Sequence, residues 1–272
     1  MSKPKTCNVE LISIGNELLL GNTINTNASW LATRVTAEGG QVRRMTVVED
    51  DLHEIITVIH ESLKRKPNYI ITTGGIGPTF DDMTVKAVAR EIHEPLQLDA
   101  EALRMIKEHY ARRFPNRRLK LTRARLKMAT LPRHASAVLN PVGTAPAVRM
   151  HVGKTEIFCL PGVPREMKAI FKSFIAARIR EEAGGREFIE RWVEVTGVME
   201  SSLAPVVKQT MKRWPNVYIK SHPRGVEGQR PRIELHFSLL STTPEEARME
   251  LSAASKYLLQ KLRILKGRII MA

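Results

Sequence analysis

The chain has 272 residues, 43% hydrophobic and 26% charged. That length suits roughly two domains, is enough to bury a core without disulfide or metal staples, and the composition excludes a disordered chain. Forty-three Lys and Arg against 28 Asp and Glu give a net charge of +15, which excludes an acidic protein and favours partners that carry phosphate. No apolar run reaches the roughly 18 residues of a membrane helix, and the N-terminus lacks a signal-peptide core. A cytoplasmic protein with no membrane partner is expected. Cys7 and Cys159 lie in apolar, strand-like surroundings and are expected as buried thiols in a reducing compartment. No CxxC, HExxH or zinc-finger spacing occurs.

Residues 9–14 form a short apolar run that stops at Gly15, as a buried strand does. Ile24, Ala28, Leu31 and Val35 then recur at helical spacing and predict a helix closed by Gly39-Gly40. Residues 42–48 predict a second strand. Asp51 is a cap for a helix whose core face is Leu52, Ile55, Ile56, Ile59 and Leu63. A third strand at 69–71 runs into Thr-Thr-Gly-Gly-Ile-Gly-Pro at 72–78, and Asp81 or Asp82 can cap a helix bearing Val85, Val88 and Ile92. Strand and helix alternate, so the fold class expected is α/β, a three-layer and mostly parallel sheet with helices on both faces. Helices at 100–113 and 122–128 follow, then strands at 138–139, 147–151 and 156–160. A long helix carries Met167, Ile170, Phe171, Phe174 and Ile175.

A boundary is expected near Gly184-Gly185, separating a nucleotide domain at 1–183 from a smaller α+β domain at 190–272. The smaller domain reads β-α-β-β-α. Its strands are 191–195, 217–219 and 233–239, and its first helix buries Leu203, Val206, Val207, Thr210 and Met211. Thr243-Pro244 opens the last helix.

The charge is concentrated. Residues 104–133 hold eleven Lys or Arg and one acid, Glu108, a net +10. A solvated helical face accounts for such a run, and so does steering of an anionic ligand. Only Tyr110 and Phe114 interleave aromatic rings there, so a small nucleotide is favoured over a nucleic-acid polymer as partner.

Ligands of an open parallel sheet sit outside the carboxyl ends of its strands. The loops at 15–27, 72–82 and 160–167 all fall there. Gly74, Gly75 and Gly77 lack a Cβ, so their backbone can turn sharply and its amides can cradle phosphate oxygens, with Thr72 and Thr73 as hydroxyl donors. The run matches neither GxGxxG nor GxxxxGK[ST], and a tight structural turn is the plain alternative. Glu17, Asp81, Asp82 and Glu166 share the same end, where each can also serve a helix N-terminus. Carboxylates beside a phosphate cradle repel the substrate unless a divalent cation bridges them, and oxygen donors suit Mg2+ or Mn2+. Such an ion activates water for attack on phosphorus. The turn-rich loop at 140–146 adds backbone groups and the Thr144 hydroxyl.

Together, IGNELLLGNTINTN at 14–27, TTGGIGPTFDDMT at 72–84, NPVGTAP at 140–146 and LPGVPREM at 160–167 resemble the molybdopterin-binding domain of the MogA/MoaB type, and within it the CinA branch. The resemblance spans about residues 7–182. The amidohydrolase domain of long CinA proteins is not expected in this sequence. The resemblance implies a three-layer nucleotide-binding domain and a metal-dependent pyrophosphatase that splits ADP-ribose, or FAD, to AMP and a second phosphate. By motif position Asp82 matches the acid after the Gly-rich loop, Glu17 the acid after strand one, and Gly74, Gly75 and Gly77 the phosphate loop.

The site expected therefore has Asp82, Glu17 and Asp81 as catalytic residues. Thr73, Gly74, Gly75, Gly77, Asn25 and Lys86 would bind phosphate or nucleotide, with Gly143, Thr144, Pro161 and Gly162. Glu17, Asp82 and Glu166 would hold a divalent metal such as Mg2+, with K+ as a further candidate cofactor. One departure is Ala147, where the family often has glycine; its methyl is expected to narrow that loop. Adenylyl transfer to molybdopterin is the alternative within the family. RNA binding is the alternative outside it, through Gly225-Val226-Glu227-Gly228, a GxxG tetrad near Lys220, Arg224, Arg230 and Arg232. A homo-oligomer is expected.

Overall fold

The computed structural model describes residues 6–114, 120–224, 232–264 and 268–271. The chain divides into two units, Met1–Ala183 and Gly184–Ala272. Among the described residues no helix is long and apolar enough to cross a membrane.

The first unit opens with β1 (Asn8–Ile14), the short α1 (Asn16–Leu19), α2 (Thr26–Ala37), β2 (Gln41–Val48), α3 (Leu52–Arg65), β3 (Tyr69–Thr73) and α4 (Thr84–Glu91). It continues with β4 (Leu96–Leu98), α5 (Ala100–Arg113), α6 (Arg123–Met128), β5 (Thr130–Pro132), β6 (Ser136–Val138), β7 (Ala147–Val152) and β8 (Thr155–Leu160). A last long helix runs as α7 (Pro164–Ile170), a π-helical turn at Phe171–Ile175, and α8 (Ala176–Glu182).

Six strands form the central sheet in the order β2-β1-β3-β8-β7-β6. Strands β2, β1, β3 and β8 are parallel, whereas β7 runs antiparallel to both β8 and β6. The sheet is thus mixed and mostly parallel, with helices on both faces, as the alternation predicts. Successive residues of a strand point to opposite faces, and the central strands feed two cores in alternation. Ile12, Ile70 and Ile157 join Ile55, Ile59, Val88 and Ile106 on the side of α3, α4 and α5. Leu11, Ile71 and Phe158 join Leu31, Val35, Met167 and Phe171 on the side of α2 and α7. Strands buried on both faces are therefore continuous apolar runs.

The helix starts follow local side chains. Asp51 accepts from the amides of His53 and Glu54, and Asp99 from that of Ala102. Two expectations are corrected. Ile24 lies outside α2 and is 83% exposed, because Asn25 caps that helix by accepting from the Ala28 amide. Asp81 and Asp82 do not cap α4. Asp82 accepts instead from the Thr79 amide and hydroxyl, and the helix starts at Thr84, whose hydroxyl donates to the Gly74 carbonyl.

The second unit comprises β9 (Glu187–Thr196), α9 (Glu200–Arg213), β10 (Tyr218–Arg224), β11 (Arg232–Ser241), α10 (Pro244–Ile264) and β12 (Arg268–Met271). Its antiparallel sheet has the order β10-β11-β9-β12. Val193, Val195, Leu235 and Phe237 bury one face with Leu203, Leu251 and Leu258 from the helices. Strand β12 is an addition to the expected β-α-β-β-α order; four residues are too few for a period to show. The GxxG tetrad at 225–228 lies outside the described residues.

Under the first sheet Glu10 is buried, yet it accepts hydrogen bonds from Ser62 (2.7 Å) and from Arg65 Nε and Nη2 (both 2.8 Å). Burial pushes its carboxyl up, but Arg65, Ser62 and the field of Arg44 prevail and hold it below the usual carboxylate range. That stabilisation is full above the unfolded-chain value and is lost as pH falls through the lower native value. Removing one partner of a fully buried pair costs roughly 3–5 kcal/mol; Arg65 is partly exposed, so Glu10→Gln is expected to cost about 2 kcal/mol at neutral pH. Urea unfolding at a series of pH values will check this, since the gap between parent and variant should close as Glu10 protonates.

Candidate active site

Strands β1, β3 and β8 are parallel neighbours, so the chain leaves all three at one edge of the sheet. There the Gly-rich loop is bonded to the end of β8 and to its own helix, and it packs against the end of β1. The Gly74 amide donates to the Leu160 carbonyl (3.0 Å) and the Thr84 amide to the Gly75 carbonyl (3.0 Å). Gly74 has φ +101° and Gly75 φ +65°. A Cβ at Gly74 would collide with the Ile14 carbonyl oxygen, and one at Gly75 with the Thr84 hydroxyl. Only glycine gives this approach. Among the described residues, Gly75, Ile76 and Gly77 donate no backbone hydrogen bond within the protein.

A cleft of about 590 Å³ opens over this loop. Glu17 from α1 and Asp50 from the end of β2 line it, as do Asp81, Asp82, Thr144, Pro161, Gly162 and Glu166. Five carboxylates from four separate segments thus share one hollow with the glycine amides. The Glu17 carboxylate folds back over Gly15, 2.6 Å from where a Cβ there would sit. The Thr79 hydroxyl lies between Asp81 and Asp82, and its hydrogen bond, with Asp81's own amide, holds Asp81 below the usual carboxylate range. Glu166 accepts from Asn140 Nδ2 (2.7 Å), and a Cβ at Gly143 would strike its carboxylate. Gly143 therefore admits Glu166 to the cleft and does not itself line it.

Three contributors were not anticipated. Asp50 accepts from the Asn16 amide (2.9 Å) and donates its own amide to Asn16 Oδ1 (3.1 Å). Burial raises its carboxyl; the Asn16 bond opposes this, while the charges of Glu17, Asp81 and Asp82 add to it. Its neighbour Asp51 carries the cap signal, which hides Asp50 in the sequence. Asn140 is buried and accepts from the amides of Val142 and Gly143, shaping the 140–146 loop. Lys127 lines the adjoining hollow and reaches from α6 to the Thr79 carbonyl at the edge of the cleft. Burial lowers its pKa and Lys86 adds to this, against the pull of Asp82 and Asp81.

Some expected residues lie elsewhere. Asn25 caps α2 and donates to Ser13 Oγ (3.0 Å). Thr73 is buried in β3, and Lys86 lines an adjoining hollow. Ala147 does not narrow the cleft: it is fully buried in the core beside α2 and α7, opposite Val138 in the sheet. Among the described residues no three His, Cys, Asp or Glu side chains converge closely enough to hold an ion by themselves. Glu17, Asp82 and Glu166 line one cleft without forming a protein-only cage. Oxygen donors of this kind suit a hard divalent ion.

The sequence profile described as "Probable molybdopterin binding domain" matches residues 10–181, and the chain belongs to that family. Over 254 residues it is 40% identical to a protein of Pyrobaculum calidifontis, covering 93% of this chain and 95% of that one. It is 41% identical over 239 residues to a protein of Metallosphaera sedula, 88% of either chain. Among solved structures it is similar to CinA of Thermoplasma acidophilum, described as of unknown function. The identity is 43% and the TM-score 0.58, over 63% of this chain and 98% of that one.

The glycines differ in what they tolerate. Gly74→Ala meets backbone at positive φ and is expected to cost about 3 kcal/mol or more. At Gly162 a Cβ would stand 3.5 Å from the Gly74 Cα, an ordinary contact, so Gly162→Ala should shift stability by less than about 1 kcal/mol. Paired urea denaturation curves measure both.

Proposed function

We propose that the protein is a metal-dependent nucleotide pyrophosphatase acting on ADP-ribose or a related dinucleotide such as FAD. The reading rests on one observation: uncommitted glycine-loop amides and the carboxylates of Glu17, Asp81, Asp82 and Glu166 line the same cleft. Its volume of about 590 Å³ lies within the roughly 300–1,000 Å³ of small-molecule sites. The diphosphate rests on the 74–77 loop, where the amides of Gly75, Ile76 and Gly77 and the start of α4 favour negative charge. Glu17 and Asp82 would hold the divalent ion, and Glu166 is fixed by Asn140 within the same cleft. When bound, such an ion neutralises phosphate charge and lowers the pKa of water. Water adds to one phosphorus, the bridging P–O bond breaks, and AMP leaves with ribose 5-phosphate. The carboxylates are the acceptors for the proton that the water gives up. Basic residues of α5 and α6 draw the anionic substrate in.

A second reading is adenylyl transfer to molybdopterin over the same loop; the family description, a probable molybdopterin-binding domain, supports its molybdopterin part. Pterin fluorescence in the purified protein would support it.

The test is product analysis. With Mg2+ or Mn2+, ADP-ribose should yield AMP on chromatography, and Asp82→Asn should slow release by about a hundredfold or more. If neither ion supports AMP release from ADP-ribose or FAD, or if Asp82→Asn matches the parent, the hydrolase reading falls.

A further inference from the structure

In the second unit the odd-numbered residues of β9, β10 and β11 lie under the helices: Val193, Ile219 and Leu235 share one core with Leu203 of α9 and Leu251 of α10. Side chains alternate between the faces of a strand, so the even-numbered residues form the opposite face. Trp192 and His236 stand opposite one another in the β9–β11 register, and their rings stack at 4.1 Å, 14° from parallel. His222 adds a ring 5.7 Å from Trp192, and Phe188 another 6.2 Å from His236. Trp192 is 46% exposed and Tyr218, on the same face, 55%. A contiguous aromatic patch left in water marks a docking surface, and Trp and Tyr are enriched at the centres of such surfaces.

Charge selects the occupant. Among the described side chains of these three strands, the face carries three cations, Lys220, Arg224 and Arg232, and three carboxylates, Glu190, Glu194 and Glu234. Arg224 pairs with Glu234 (2.9 Å), Arg232 with Glu194 (3.9 Å), and His236 Nε2 with Glu190 (2.9 Å). The face is thus balanced on a chain that carries +15. A nucleic acid would lay its phosphates over three carboxylates. A second copy meets equal and opposite charges, at a place where the self-repulsion of a +15 chain is least. We propose that two copies of this chain associate at this face, sheet against sheet, with the Trp192 and His236 rings at the centre and the paired charges around them. Such sheets stand about 10 Å apart with their side chains interdigitated. Strands rising about 3.3 Å per residue and spaced about 4.8 Å give this face roughly 500 Å² a side. The pair buries about 1,000 Å², where specific interfaces begin, so the dimer is reversible and not permanent.

Sedimentation velocity over about 1–100 µM protein tests this and should show the parent passing from monomer to dimer. Trp192→Glu should weaken association at least about tenfold, and Glu190→Arg, which unbalances the face, about fivefold or more. Glu245→Arg, the same charge reversal at the start of α10, should match the parent. All three positions are exposed, and circular dichroism will verify that the variants fold; where Trp192→Glu does not, Glu190→Arg decides alone. A parent that stays monomeric at the highest concentration overturns the assignment. An oligomer that persists unchanged in both Trp192→Glu and Glu190→Arg also overturns it, because another surface then holds the copies together. Equal weakening in Glu245→Arg does the same, since overall charge and not this face then governs. If a monomeric parent binds single-stranded oligouridine and Trp192→Glu does not, the face belongs to nucleic acid and the second copy is excluded.

Discussion

The candidate site depends on a backbone-to-backbone approach that tolerates no side chain. Gly74 sits so close to the end of β1 that a methyl group would collide with the Ile14 carbonyl oxygen, while its amide is tied to the end of β8. One residue, at the end of β3, thus bonds to the end of β8 and packs against the end of β1. Gly75 repeats the constraint toward α4, where Thr84 would meet any Cβ. The loop amides are therefore presented by a tightly packed junction with little room to relax, which is what preorganised anion binding needs. A looser loop would offer the same donors only after paying to order them.

Electrostatics set the second constraint. The protein carries +15 overall, yet its cleft gathers acids. The fields of Glu17, Asp81 and Asp82 all act to raise the Asp50 carboxyl, on top of its burial. Such crowding costs stability unless a cation or hydrogen bonds offset it. Part of the compensation is on the chain: Thr79 satisfies Asp81 and Asp82, Asn16 satisfies Asp50 and Asn140 satisfies Glu166. These bonds orient the acids without neutralising them. The retained negative charge is what the proposed divalent ion would offset.

Much of this was legible in the amino-acid sequence because the physics is local. Doubly buried strands are apolar runs, amphipathic helices show their period, and Asp51 and Asp99 sit where caps belong. What stayed hidden is what local chemistry does not encode. Strand direction leaves no trace in periodicity, so the reversal of β7 was invisible. A residue with two adequate roles is ambiguous: Asn25 looks like a ligand group and is a cap, while Asp82 looks like a cap and serves the turn at Thr79. Asp50 and Lys127 become site residues only through contacts 34 and 48 positions away.

Gly143 and Ala147 show why a motif residue need not touch the ligand its motif predicts. Both belong to the turn-rich stretch between β6 and the start of β7; the sequence leads one to expect Gly143 to face a nucleotide and the Ala147 methyl to narrow that loop. Gly143 instead makes room for the Glu166 carboxylate, which Asn140 then holds from the same loop. Ala147 begins β7, and its methyl fills the core opposite Val138. A larger residue at 143 would displace the acid, and with it one side of the cleft, although it need never contact substrate. At 147 the extra carbon relative to glycine adds buried apolar surface, worth about 0.8 kcal/mol per methylene-sized group, without narrowing the cleft. A departure from a family pattern carries functional weight only where the Cβ points, and here it points away from the site.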